Sequence, residues 1–109
     1  MLSTASELYS KISKYDNFVC ERTIEKAYYL SEKAHSNQFR SSGEKYFTHP
    51  LAVAEYLVQM KLDSSTIITA LLHDVVEDSD ITLDEISKEF GSEISKLVDG
   101  VTKLSKLEL

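Results

Sequence analysis

The run Leu71-Leu72-His73-Asp74-Val75-Val76-Glu77-Asp78 constrains this chain more than any other stretch. It sets an imidazole and three carboxylates into two turns of an otherwise apolar helix. A helix this oily faces a core, and ionised carboxylates are costly there unless they are paired or bound to a metal. His73 and Glu77 lie four residues apart, as do Asp74 and Asp78, so each pair shares one side of the helix. His73 and Asp74 stand about 100° apart around the axis. A single cation fits between them, with Glu77 and Asp78 one turn further on. The pattern predicts a metal site with a general base beside it.

The remainder of the chain is patterned as helix. No segment alternates apolar and polar residues long enough for a convincing strand, and there is no internal repeat or low-complexity tract. The expected class is therefore all-α, a helical bundle within a single domain over 1–109. Leu8, Ile12 and Tyr15 outline a weak N-terminal helix within 1–18. A stronger helix is predicted from about Val19 to His35, with Ile24, Ala27, Tyr28 and Ala34 facing the core. An irregular segment runs from about Ser36 to Phe47, with Ser41, Ser42 and Gly43 as turn formers. Thr48 is expected to cap the next helix, with Pro50 in its first turn, where a missing N–H is harmless. That helix should bury Leu51, Val53, Ala54, Leu57 and Val58 and end near Lys61. Asp63 or Ser64 should cap the helix that carries the His-Asp run. Thr82-x-x-Glu85 is a capping box for a short helix through Phe90, which Gly91 ends. Ser92 opens a last helix, with Gly100 near its middle or end and apolar periodicity still running from Thr102 to Leu109.

Composition narrows the function classes. The formal charge is −6 and no Lys/Arg block or basic stripe appears, which argues against a nucleic-acid backbone binder. A small anionic ligand stays compatible, because a bound divalent cation reverses the local potential of an acidic site. Cys20 is the one cysteine, so neither a disulfide framework nor a cysteine-rich zinc site can form. It is expected to pack as a small core or half-buried residue, and a reducing cytosol fits it. Met1 to Asp16 holds no apolar signal-type segment, and no apolar run approaches the ~20 residues that span a bilayer. The expectation is a soluble, cytoplasmic protein with no membrane partner.

Of the three histidines, His73 belongs to the opening run, His49 starts a helix beside Thr48, and His35 closes the long second helix. Any one alone is more often a hydrogen-bonded packing residue than a ligand. His49 joined to His73-Asp74 in an all-helical chain favours ligands for those two, since bundle sites draw donors from facing helices. His35 is expected to pack.

These runs together resemble the HD phosphohydrolase superfamily and, more narrowly, its RelA/SpoT-type (p)ppGpp hydrolases. Ala34-His35-Ser36-Asn37-Gln38-Phe39-Arg40 is similar to that family's opening motif, and Ser42-Gly43-Glu44-Lys45-Tyr46-Phe47-Thr48-His49-Pro50 to its second. Ala70 to Asp78 is close to its signature. Phe90-Gly91 and the run from Leu97 to Leu104 match the run that follows it in the family. The resemblance implies His49, His73 and Asp74 as ligands of Mn²⁺, and Glu77 and Asp78 as the groups that position or activate water. It implies Arg40, with Ser41 and Ser42 beside it, as nucleotide contacts. The implied reaction is hydrolysis of the 3′-pyrophosphate of (p)ppGpp, giving GDP or GTP and pyrophosphate. Imidazole and carboxylate suit manganese and similar ions, and a guanidinium matches phosphate oxygens or a base face.

The chain also departs from the family pattern. A basic residue commonly stands after the loop arginine, where this chain has Ser41; a frequent glycine is Asn37, and a proline is Lys45. The family's fourth metal ligand, an aspartate, and a nucleotide-contacting asparagine would lie beyond Leu109. The expectation is a truncated HD domain with no synthetase activity: either a truncated or decaying hydrolase, or one whose site a homodimer partner or a complementing chain closes. Two other readings stay open: a non-catalytic remnant that binds metal or nucleotide or pairs with another polypeptide, and an HD hydrolase of a different nucleotide. Tyr28, Tyr29 and Tyr46 are expected to pack rather than to stack on a base.

Overall fold

A computed structural model describes residues 2–105. It contains α1 (Ala5–Ser13), α2 (Glu21–Ala34), α3 (Thr48–Gln59), α4 (Ser64–Leu72), α5 (Val75–Asp78), α6 (Leu83–Phe90) and α7 (Ser92–Ser105). Among the described residues there is no strand, only an isolated bridge between Phe39 and Lys45 in the loop joining α2 to α3. The class is all-α, as the patterning predicts.

The most apolar segment becomes the centre. Helix α4 is buried from Ile67 to Leu72 and packs against α2, α3 and α7. Ile67, Leu71 and Leu72 are wholly buried there, beside Ile24 and Ala27 of α2, Ala54 of α3 and Val98 of α7. Fully burying one such Leu or Ile is worth about 1.5–3 kcal/mol, so this helix anchors the bundle. Its position matters for function, because its C-terminal end delivers His73.

Polar residues set the helix starts. Asp63 caps α4, its carboxylate accepting from Thr66 N–H at 2.9 Å. Thr82 caps α6, its hydroxyl accepting from Glu85 N–H at 3.2 Å. Thr4 and Glu7 form a full reciprocal capping box on α1, a Thr-x-x-Glu signal that the N-terminal reading overlooks. Gly91 ends α6 with φ +95°, a left-handed backbone that favours glycine. Tyr15 lies beyond α1 and reaches across the fold, its hydroxyl donating to the Leu62 carbonyl at 2.6 Å.

Several local expectations need correction. Thr48 is the first residue of α3 rather than its cap, and its hydroxyl donates to the Lys45 carbonyl at 2.8 Å. Helix α3 ends at Gln59, and Lys61 takes a positive φ of 58° to turn the chain. Cys20 is exposed at the start of α2, because the preceding loop lies on the surface. Helix α7 does run from Ser92 through Gly100 to Ser105, with Gly100 past its middle as expected. The periodicity predicted for Lys106 to Leu109 lies outside the described residues.

The largest correction concerns the opening run itself. It is not one continuous helix: α4 stops at Leu72, His73 and Asp74 form a turn, and α5 is a separate single turn. The His73 ring explains the break. Its Nδ1 lies 2.7 Å from the Ala70 carbonyl, the acceptor that the N–H of Asp74 would use in a continuing helix. A side chain inserted into the backbone ladder interrupts it.

Candidate metal centre

The helix break exposes what an unbroken helix would have buried. His73 caps the C-terminal end of α4 and Asp74 caps the N-terminal end of α5. His49 is the second residue of α3, the helix packed beside α4. Pro50 and Leu51 behind it are buried and fix the start of that helix in the core. Two neighbouring helix ends therefore meet, and their polar residues meet with them.

One ligand atom from each of His49, His73 and Asp74 lies within 4.8 Å of the others, and all three residues are half-buried. The His49 and His73 ring centroids are 6.4 Å apart. Two donors held ~2.1 Å from one ion are at most ~4.2 Å apart, so small side-chain movements close this set onto a single cation. Two imidazoles and a carboxylate suit a borderline divalent transition metal. The His73 Nδ1–H donates to the Ala70 carbonyl, so Nε2 is the nitrogen that would face a cation. The residues present fit a metal.

The electrostatics agree. His73 Nε2 lies 3.1 Å from Asp74 Oδ2. The hydrogen bond from His73 holds the Asp74 carboxyl down at about 2 against burial, with help from Tyr46. The same bond raises the His73 pKa, again against burial, and the Ala70 carbonyl adds to the rise.

The remaining predicted residues stand around this trio at different distances from solvent. Glu77 and Asp78 are exposed on α5, directly after Asp74. Arg40, Ser41 and Ser42 are exposed on the α2–α3 loop. There, Arg40 N–H donates to the Glu44 carbonyl and Gly43 N–H to the Arg40 carbonyl, each at 2.8 Å. Gly43 at φ +91° closes this turn and puts the two serines at its tip. The Arg40 and Asp78 charges both reach the Tyr46 hydroxyl, in opposite senses. Two clefts, of about 500 and 530 Å³, open along α2, and neither is lined by His49, His73 or Asp74.

Sequence reasoning missed three contacts in and around the site. Tyr46, expected only to pack, donates its hydroxyl to Asp74 Oδ2 at 2.7 Å. Burial first, then this bond, push its own pKa up. Gln38 reaches α5, its Nε2 donating to the Asp78 carbonyl at 2.8 Å. Thr102 on α7 donates its hydroxyl to the His73 carbonyl at 3.4 Å. Tyr46 precedes His49 by three residues, but nothing in that spacing names Asp74 as its partner. His35, expected to pack, is wholly buried.

A helical bundle whose paired helix ends gather two histidines and an aspartate offers a donor set that suits a divalent cation. The chain belongs to the HD domain family, which matches residues 27–109. It is 48% identical over 103 residues to a Brucella ovis protein named GTP pyrophosphokinase rsh, covering 94% of this chain and 14% of that protein. It is 55% identical over 83 residues to a Myxococcus xanthus GTP pyrophosphokinase, covering 76% of this chain and 11% of the relative. A Vibrio cholerae guanosine-3′,5′-bis(diphosphate) 3′-pyrophosphohydrolase is 49% identical over 85 residues, covering 78% of this chain and 12% of its own length. The chain thus spans about a seventh or less of the length of these relatives. Among the described residues no helix is long and apolar enough to cross a membrane.

Proposed function

We propose that this chain hydrolyses the 3′-pyrophosphate of guanosine 3′,5′-bis(diphosphate) or its pentaphosphate form, as a cytoplasmic Mn²⁺-dependent enzyme. Water adds to the phosphorus nearest the ribose, and the 3′-oxygen–phosphorus bond breaks. The products are pyrophosphate and GDP or GTP with a free 3′-hydroxyl. His49, His73 and Asp74 would hold the cation. When bound, the ion supplies Lewis-acid charge and lowers the pKa of water at the site. Glu77 and Asp78, solvent-facing on the turn after Asp74, would orient the water and take its proton, which then passes to the departing 3′-oxygen. Arg40 would pair with phosphate oxygens or stack on the base, with the Ser41 and Ser42 hydroxyls beside it.

The convergence of His49, His73 and Asp74 within 4.8 Å carries this reading. The Vibrio cholerae relative, named for the same reaction, supports the choice of substrate. The test is pyrophosphate release from ppGpp in the presence of Mn²⁺, by the wild-type chain and by His73→Ala. Release that disappears in His73→Ala is expected. A folded wild-type chain that releases nothing overturns the enzyme reading. Calorimetric binding of Mn²⁺ without turnover would leave a ligand-binding role in its place.

A further inference from the structure

The loop between α2 and α3 does more than carry Arg40. Gln38, near its start, makes four bonds at once, the first from its own N–H to the His35 carbonyl at 3.0 Å. Its backbone carbonyl accepts from Tyr46 N–H at 2.8 Å. Its side-chain Nε2 donates to the Asp78 carbonyl at 2.8 Å, and its Oε1 lies 3.1 Å from His35 Nδ1. An amide oxygen only accepts, so the His35 proton sits on Nδ1. The His35 ring is wholly buried and its Nε2 has no hydrogen-bond partner, so the bond to Gln38 orients it. The buried ring in turn fixes which way round the Gln38 amide stands.

Both ends of this arrangement bear on the site. Helix α5 has four residues, and one turn is too short to hold itself. The Asp78 carbonyl is among the terminal acceptors that a helix leaves unsatisfied. Gln38 satisfies it from across the fold. Tyr46 is held at its N–H by Gln38, and its ring centroid lies 4.9 Å from that of His35 and 5.9 Å from that of His49. Its hydroxyl engages Oδ2 of Asp74, which His73 Nε2 also faces.

We propose that Gln38 and Tyr46 form a clasp that positions the site: Tyr46 holds Oδ2 of Asp74 so that Oδ1 is left for the cation, and Gln38 pins the turn that carries Glu77 and Asp78. Neither residue touches the cation; both are positioning residues. The Tyr46 half rests on the cation reading above. The Gln38 half rests on the hydrogen bonds alone.

Two substitutions in the full chain test it. Tyr46→Phe keeps the ring and removes the hydroxyl. Gln38→Met keeps the length and removes both side-chain bonds. Mn²⁺ affinity is read by electron paramagnetic resonance of the free ion, and amide exchange at Asp78 by NMR. Tyr46→Phe is expected to weaken Mn²⁺ binding about tenfold or more, the usual effect of losing an outer partner of a metal ligand, with the melting temperature little changed. Gln38→Met is expected to speed exchange at the Asp78 amide about tenfold, leave Mn²⁺ affinity near wild type, and lower kcat for ppGpp rather than raise KM. Wild-type Mn²⁺ affinity in Tyr46→Phe, or unchanged exchange in Gln38→Met, overturns the clasp while leaving the metal site intact. If the wild type binds no Mn²⁺, the Tyr46 half falls with the site, and the exchange comparison decides the Gln38 half.

Discussion

Replacing Asp74 with Asn isolates the charge at the heart of the site. Asn keeps the shape of the side chain and an oxygen for Tyr46, but it cannot ionise. In the metal-free protein the Asp74 carboxyl sits at about 2 against an ordinary 3.8, held there chiefly by the hydrogen bond from His73. The gap, 3.8 minus 2, corresponds to roughly 2–3 kcal/mol at ~1.4 kcal/mol per unit. The Asp74 side chain is only 17% exposed, so solvent screening discounts this little. The raised His73 pKa reports the same pair from its other partner, so the energy is counted once. The two signs bound a window. The Asp74 value is depressed on folding, so its contribution is complete above about pH 4 and disappears as the pH falls toward 2. The His73 value is raised on folding above 6.5, so its contribution is complete below pH 6.5 and disappears as the pH climbs through the folded value. Urea unfolding in EDTA at pH 2.5, 5.5 and 9 reads this directly. Wild type should exceed Asp74→Asn by roughly 2–3 kcal/mol at pH 5.5, and the margin should shrink at both extremes. A margin that stays constant across the three values refutes the reasoning.

Other perturbations address the scaffold. Leu71→Ala, at a wholly buried position in α4, should cost about 3 kcal/mol in urea unfolding. Gly91→Ala meets no atom within 4 Å, so only the backbone at φ +95° opposes it; a loss of about 1 kcal/mol is expected, seen as a drop of roughly 4–8 °C in melting temperature. Thr4→Ala removes the α1 capping box and should cost about 1 kcal/mol by the same assay.

The bundle is legible in the sequence because its signals are local. Asp63, Thr82 and Gly91 act within one turn of where they stand, and the apolar stripes of α2 and α4 face inward as their spacing requires. Cys20 and Thr48 depart from expectation for the opposite reason. Their surroundings depend on how a surface loop and the Lys45 carbonyl are arranged, which no periodicity encodes. The helix break at His73-Asp74 is also hidden, since helical patterning continues straight through it. At that break the two side chains meet His49. The contacts from Tyr46 to Asp74 and from Gln38 to Asp78 cross 28 and 40 residues of chain. Long-range bonds of that kind leave no mark in local spacing, so sequence can pick out His49, His73 and Asp74 as a cluster but not the residues that support it.

Crystals grown or soaked with Mn²⁺ and measured at the manganese absorption edge offer the sharpest test of the trio. One anomalous peak per chain is expected, ~2.0–2.2 Å from a nitrogen of His49, Nε2 of His73 and Oδ1 of Asp74. A peak at any other place, or none at saturating Mn²⁺, contradicts the assignment of these three residues as ligands.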